Sequence, residues 1–261
     1  MLLILAVMAI AGVWGAEQGG VRTSLSVQDA EIALGEPLVF RLEMENVGER
    51  VVKYDPAQVA LNSSMAIAGS DGAQIPYIAM RAQTGGGSWP LEPGERRVLF
   101  ETLDIADQYL ITSPGTYTVR FKGQNAIPAS NPVTIRVAEG TLRPSRVIAK
   151  RLFDAAQGSG WEVGIVEEGN VLPLGRTAVF GTALALRRAG WGLDRSLLVW
   201  VTGRPSVPQT AESLEAWQVS EPLGPSPSGD VYWWSRKVPE EELKTARTLL
   251  VTALKIEPVR P

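Results

Sequence analysis

The chain has 261 residues, 45% of them hydrophobic and 20% charged, a balance that suits a globular protein with room for two cores rather than a disordered one. Its net charge of −3, acidic before residue 140 and slightly basic after it, excludes a basic nucleic-acid surface. Histidine and cysteine are absent, which removes Ser-His-Asp and Cys-His catalysis, HExxH zinc sites, thiolate ligands, disulfides and a lipidated cysteine.

Residues 1–16, MLLILAVMAIAGVWGA, hold an apolar run of about 13 residues, short of a ~30 Å bilayer core at about 1.5 Å per helical residue. The pattern predicts a signal peptide, with Val13 and Gly15 as the small-residue site before Ala16. Its removal leaves a secreted or periplasmic product with no stable membrane span. No Lys or Arg precedes Arg22, so the usual cationic start is missing. A buried N-terminal element of a cytosolic protein is the alternative.

From residue 22 the pattern has period two. In EPLVFRLEMEN, Leu38, Phe40, Leu42 and Met44 fall on one face, and Val39, Arg41, Glu43 and Glu45 on the other. The same parity marks Leu25 and Val27, Val98 and Phe100, Tyr117, Val119 and Phe121, and Val133, Ile135 and Val137. Gly35-Glu36-Pro37, Ser70-Asp71-Gly72, Glu92-Pro93-Gly94 and Ser113-Pro114-Gly115 supply the turns between strands. Short strands punctuated in this way predict an all-β sandwich.

The opening LGEPLVFRLEMENVG and the close SPGTYTVRF and SNPVTIRV resemble the Ig-like domains of bacterial secreted proteins, over residues 22–138. The resemblance implies an Ig-like β-sandwich. It implies no chemistry, because that fold serves adhesion, spacing, inhibition and carbohydrate contact alike. The Cys, Trp, Cys core of antibody domains is absent, and Tyr117 is either a tyrosine-corner residue or a plain core residue.

Residues 139–144 read as a linker and 145–258 as a second, small α+β domain with an antiparallel sheet. Val147, Ile148, Leu152 and Ala155 recur at helical spacing before Gly158-Ser159-Gly160. Residues 161–166, 197–202 and 230–235 are apolar enough for buried strands, and 177–187 is read as strand over helix. A short helix is expected at 211–217. The last helix has Pro239 at its first position, Glu240, Glu241 and Glu242 at the positive end of the dipole, and Leu243, Ala246, Leu250 and Leu254 as its buried stripe. This half is similar to the C-terminal domains of uncharacterised secreted proteins of planctomycete-type bacteria, which implies no activity.

With histidine gone, carboxylate pairs, Ser/Lys chemistry and oxygen-ligated metals remain. A glycoside hydrolase needs two carboxyls across a cleft at roughly 5 to 10 Å. Glu43 with Glu45, Asp104 with Asp107, Glu167 with Glu168, and Glu240 to Glu242 are the available groups, each better explained as solvated strand, loop, turn or helix start. There is no EF-hand loop, GxSxG or SxxK, and Gly85-Gly86-Gly87-Ser88 lacks the lysine of a phosphate loop. Asn62-Ser63-Ser64 matches a glycosylation sequon, which carries little meaning in a bacterial chain. No catalytic residue, metal or cofactor is expected.

Six of the eight tryptophans lie after residue 140. Trp200 sits in an apolar run and is expected in the core. Trp191, between Gly190 and Gly192, and Trp233 or Trp234, on opposite faces of one strand, are the candidate ligand-binding rings. The expectation is an exported, non-enzymatic binding or structural protein, its partner an extracytoplasmic protein or glycan. A carbohydrate or cell-envelope module using those tryptophans is the alternative within binding. A carboxylate-dependent hydrolase is the alternative outside it, and a protease inhibitor a further one without a visible reactive loop.

Overall fold

A computed structural model describes residues 15, 17–55, 64–79, 87–124, 127–174, 177–191, 195–202, 221–227 and 229–256, with 107, 165–174, 177–181, 202, 221, 222, 229, 230 and 236 described by backbone alone. The expected leader at 1–16, apart from Gly15, the short helix at 211–217 and the first two sequon residues fall outside these. Strands predominate among the described residues, against two α-helices. Contacts divide it into two compact units, the first holding residues 1–75, 81–106 and 114–139, the second 76–80, 107–113 and 140–261.

The first unit is built from strands β1 (Val21–Val27), β2 (Glu31–Ala33), β3 (Val39–Asn46), β4 (Val52–Tyr54), β5 (Met65–Gly69), β6 (Trp89–Leu91), β7 (Arg96–Asp104), β8 (Gly115–Phe121) and β9 (Val133–Ala138). They form sheets ordered β1-β3-β7, β2-β9-β8-β5 and β4-β6, antiparallel except where β2 lies parallel to β9. Parity explains most of the core. Leu38, Phe40, Leu42 and Met44 are each fully buried, as are Val119 and Phe121, while Arg41, Thr118 and Arg120 face solvent.

Strand β7 departs from the expected parity. Phe40 pairs with Leu103, Leu42 with Phe100 and Glu43 with Val98, so β7 carries an extra residue at two places relative to β3. Each bulge inverts the facing of the residues beyond it. Phe100 therefore sits opposite buried Leu42, whereas Val98 sits opposite Glu43 and is 36% exposed.

Buried polar side chains tie distant backbone together. Asn131, just before β9, accepts from Leu25 N–H at 2.9 Å and donates to Leu25 C=O at 3.0 Å, closing both backbone groups of one β1 residue. Ser130 Oγ accepts from Phe121 N–H and donates to the Asn131 carbonyl. Thr23 Oγ1 donates to the Pro128 carbonyl. Asn46, wholly buried, donates from Nδ2 to the carbonyls of Arg50 and Leu91, and its Oδ1 accepts from Gly48 N–H. The Glu92-Pro93-Gly94 turn forms as expected, with Gly94 at φ 77° and Glu95 N–H bonded to the Glu92 carbonyl.

The second unit holds helix α1 (Pro144–Ala156), strands β10 (Trp161–Leu174), β11 (Thr177–Arg188), β12 (Ser196–Thr202), β13 (Glu221–Ser226) and β14 (Gly229–Arg236), and helix α2 (Glu240–Leu254). One antiparallel sheet runs β10-β11-β12-β14-β13. Residues 177–187 are strand, as read. Glu167 and Glu168, expected in a turn, lie inside β10 at register shifts between Ile165 and Asn170; the sheet absorbs the polar residues as a bulge and continues to Leu174.

Ile148, Ala149 and Leu152 of α1 share a core with Ala246, Leu250 and Leu254 of α2, and with Leu184, Leu186, Leu197, Val199, Val231 and Trp233 of the sheet. Ile78 and Leu110 belong to the same core. Both helices thus bury one stripe against alternate residues of β11, β12 and β14. Pro144 opens α1, where a missing N–H costs nothing, and Pro239 stands at the N-cap of α2, one position earlier than expected.

Candidate functional site

The most concentrated side-chain chemistry of the second unit lies where β10 begins. Helix α1 ends in a turn with Gly158 and Gly160 at φ 71° and 77°, a backbone that L side chains rarely adopt. Ser159 Oγ donates to the Ala156 carbonyl and accepts from Trp161 N–H, delivering Trp161 as the first residue of β10. The β10–β11 register places Trp161 opposite Arg188. The Arg188 guanidinium lies over the Trp161 ring, 4.6 Å from its centroid.

That guanidinium is fully engaged. Nε and Nη2 both donate to Glu242 Oε2, at 2.9 and 2.5 Å, and Nη1 donates to the Ser159 carbonyl. A Cβ on Gly160 would stand 2.9 Å from Arg188 Nη1, so the glycine also leaves room for the cation.

Beyond Arg188 the chain turns, Trp191 N–H bonding to the Arg188 carbonyl at 3.0 Å. The Trp191 ring meets Trp161 edge to face, with centroids 5.9 Å apart and planes at 75°. Arg195 then lies over Trp191 at 4.1 Å. The result is an alternating series, Arg188, Trp161, Trp191, Arg195, in which Trp161 is buried and Trp191 and Arg195 are half-buried. Arg195 forms no ion pair among the described residues, and its Nε is buried without an acceptor, as is Trp161 Nε1.

Of the three expected rings, Trp191 alone belongs to this series. Trp233 is 7% exposed, inside the core beneath the helices, and offers no ring face to a ligand. Trp234 is half-buried on the opposite sheet face, where β12 and β14 also set Trp200 beside Tyr232 and Leu198 beside Trp234. Trp200 therefore differs from its expected place: Leu197, Val199 and Val201 fill the core shared with the helices, and Trp200, of the other parity, is only half-buried.

Asp104, Glu45 and Glu95 have structural roles. Asp104 Oδ1 accepts from the backbone N–H groups of Leu38 and Ala106 at 2.8 and 3.0 Å. Burial pushes the Glu45 carboxyl up, but the hydrogen bond and charge of Arg22, with Arg96, outweigh it and hold it below the usual range. The Glu92 backbone N–H and the Arg97 guanidinium likewise lower Glu95. Both shifts run opposite to what a general acid requires. Among the described residues no three carboxylates converge to hold a metal ion, and no helix is long and apolar enough to cross a membrane.

No protein-family model matches the chain, and no curated protein matches it. Solved structures give distant likenesses. A β-glucosidase from Erythrobacter marinus aligns at 20% identity and TM-score 0.29 over 45% of this chain and 15% of its own. A β-glucosidase from Listeria innocua aligns at 15% and 0.27 over 47% and 17%. The sporulation control protein Spo0M from Bacillus subtilis aligns at 12% and 0.25 over 90% and 96%. The chain spans less than a fifth of either glucosidase, and at these scores none of the three bears on fold or function.

Proposed function

We propose that the chain is an exported, non-enzymatic binding protein, an Ig-like β-sandwich followed by a small α+β domain, that recognises a carbohydrate or cell-envelope ligand through the Trp191 end of the second unit. The observation that carries this reading is the half-buried Trp191 indole framed by Trp161 and Arg195. An indole with an adjoining guanidinium offers an apolar surface and directed donors together, as saccharide recognition demands. Export rests on the apolar leader at residues 1–16. The Ig-like assignment rests on the sheet orders and on strand parity; the α+β assignment rests on two helices sharing a core with one antiparallel sheet.

The test is a thermal-shift screen of the purified full chain against glycans, peptides and divalent ions. A ligand that binds the native state raises the unfolding temperature as RT ln(1 + [L]/Kd). The expected result is a rise with a glycan that is absent in Trp191→Ala, read against that variant's own ligand-free transition, which its lost core packing lowers. A flat response across glycans overturns the reading in favour of a structural role. Mature N-terminal sequencing of the exported protein checks the leader; an intact Met1 in the cell fraction overturns that part.

A further inference from the structure

Strands β4 and β6 bring an aromatic and charged group to the place where the core of the first unit meets water. Their register sets Val52 opposite Leu91 and Tyr54 opposite Trp89, and residues directly opposite on an antiparallel pair share a face. Leu91 and Tyr54 are buried, so this is the inward face. Trp89 belongs to it, two residues before Leu91, yet it is 52% exposed. Arg97 of β7 combines the same two properties. It pairs with fully buried Met44 and so faces inward, while its side chain keeps 31% exposure. Two inward-facing side chains that both reach water mark where the covering of this core ends. Among the described residues no other aromatic side chain is as exposed as Trp89, and no ring or cation stacks on it.

The polar groups beside the indole are held in place. Arg97 donates from Nη1 to Tyr54 Oη at 2.9 Å, with its guanidinium carbon 5.8 Å from the centroid of that ring, and from Nη2 to Glu95 Oε1. Among the described residues only these two of the five guanidinium N–H groups are engaged. The Glu95 side chain is 28% exposed. Cross-strand neighbours stand about 5 Å apart at Cβ, so the Trp89 indole starts beside the phenol that Arg97 holds.

We infer that Trp89, with Arg97 and Glu95, forms a ligand site in the first unit that takes a neutral saccharide. A pyranose has C–H faces that pack on an indole and vicinal hydroxyls that both donate and accept. The Arg97–Glu95 pair offers donors and carboxylate oxygens together with its charge already balanced. Hydroxyls can use both members of such a pair. A carboxylate ligand meets repulsion from Glu95, and an ammonium from Arg97. The inference concerns other residues, in the other unit, and does not rest on the Trp191 reading.

The experiment treats the full chain with limiting N-bromosuccinimide, which oxidises accessible indoles, and reads each tryptophan by peptide mass spectrometry. It is run alone and with cellohexaose, mannohexaose, N-acetylchitohexaose or oligogalacturonate. Trp89 is expected to oxidise faster than Trp161, Trp191, Trp200, Trp233 or Trp234, and a neutral hexasaccharide to slow it as 1/(1 + [L]/Kd), about tenfold at ten times Kd. Calorimetric titration of Trp89→Ala should show that sugar binding at least about tenfold more weakly, while Trp191→Ala keeps its affinity for it at this site. The unfolding temperature of Trp89→Ala separates a lost contact from a lost fold, and the protection measurement stands on the native chain without any mutation. Trp89 oxidation that no neutral hexasaccharide slows overturns the inference; protection of Trp191 in the same samples then leaves the earlier reading standing alone. Oligogalacturonate protecting Trp89 as well as the neutral sugars do overturns the assignment to an uncharged ligand. Protection that appears without sugar and grows with protein concentration means that a second copy covers the ring, which also overturns it.

Discussion

The two units handle buried polarity in opposite ways. In the first, Asn46, Asn131, Ser130 and Thr23 each bond backbone atoms, so every one of these side chains fastens one part of the chain to another. In the second, Trp161, Trp200, Trp233, Arg151 and Arg195 each leave a buried N–H without an acceptor, and two guanidinium groups rest on indole faces. Among the described residues, all the orphaned buried side-chain donors belong to the second unit. Among the described residues, the first unit thus uses its buried polar side chains as fasteners, whereas the second holds buried donors in excess of acceptors.

The sharpest way to break this contrast is Asn131→Ala. It orphans the N–H and C=O of Leu25, each worth about 2 kcal/mol when buried and unpaired, for a loss of about 4 kcal/mol. Chemical denaturation should show it, and hydrogen exchange should place the lost protection in β1 and β9. Leu184→Ala, at a site with no exposure, should cost about 3 kcal/mol through lost transfer energy and the cavity left behind. Its exchange signature should lie in β11 and the two helices.

Smaller effects sharpen the comparison. Glu45→Gln should flatten the acid limb of the stability profile by about 0.5 kcal/mol, since Arg22 and Arg96 are partly exposed and screened. The sign follows from the lowered carboxyl: its contribution is present above the usual value of 4.5 and is lost as pH falls through the lower native value. A profile measured from pH 7 to 3 that is identical in the two proteins contradicts this. Trp233→Phe should change stability by less than about 1 kcal/mol, because losing ring volume is offset by removing an indole N–H that has no acceptor. A larger loss by denaturation would mean that this N–H is satisfied in solution.

Much of the first unit was legible because parity is a local property. Leu38, Phe40, Leu42 and Met44 declare their face without reference to any other strand. Strand β7 was not, because its two bulges exist only relative to β3, and Val98 reads as core until that pairing is known. The tryptophan series shows the same limit. Trp233 and Trp234 must point to opposite faces, yet which face the helices cover depends on Leu250 and Ile148, far from β14. Trp161 and Arg188 meet only through the β10–β11 register, and Glu242 reaches Arg188 from 54 residues away. What sequence could offer was a cluster of Trp and Arg between residues 187 and 200; it could not show which cation was already paired.

Ile78 and Leu110 lie in sequence among the strands of the first unit but complete the core of the second. During synthesis they leave the ribosome well before Ile148, Leu184 or Leu250, so two apolar side chains must wait for partners not yet made. The clasp between Leu25 and Asn131, 106 residues apart, imposes a similar delay on β1. Contacts of such separation slow folding. A nascent chain that cannot close either unit early stays unfolded longer. Cutting the chain near Gly140 would yield two fragments, one carrying Ile78 and Leu110 without their core and the other a core without them.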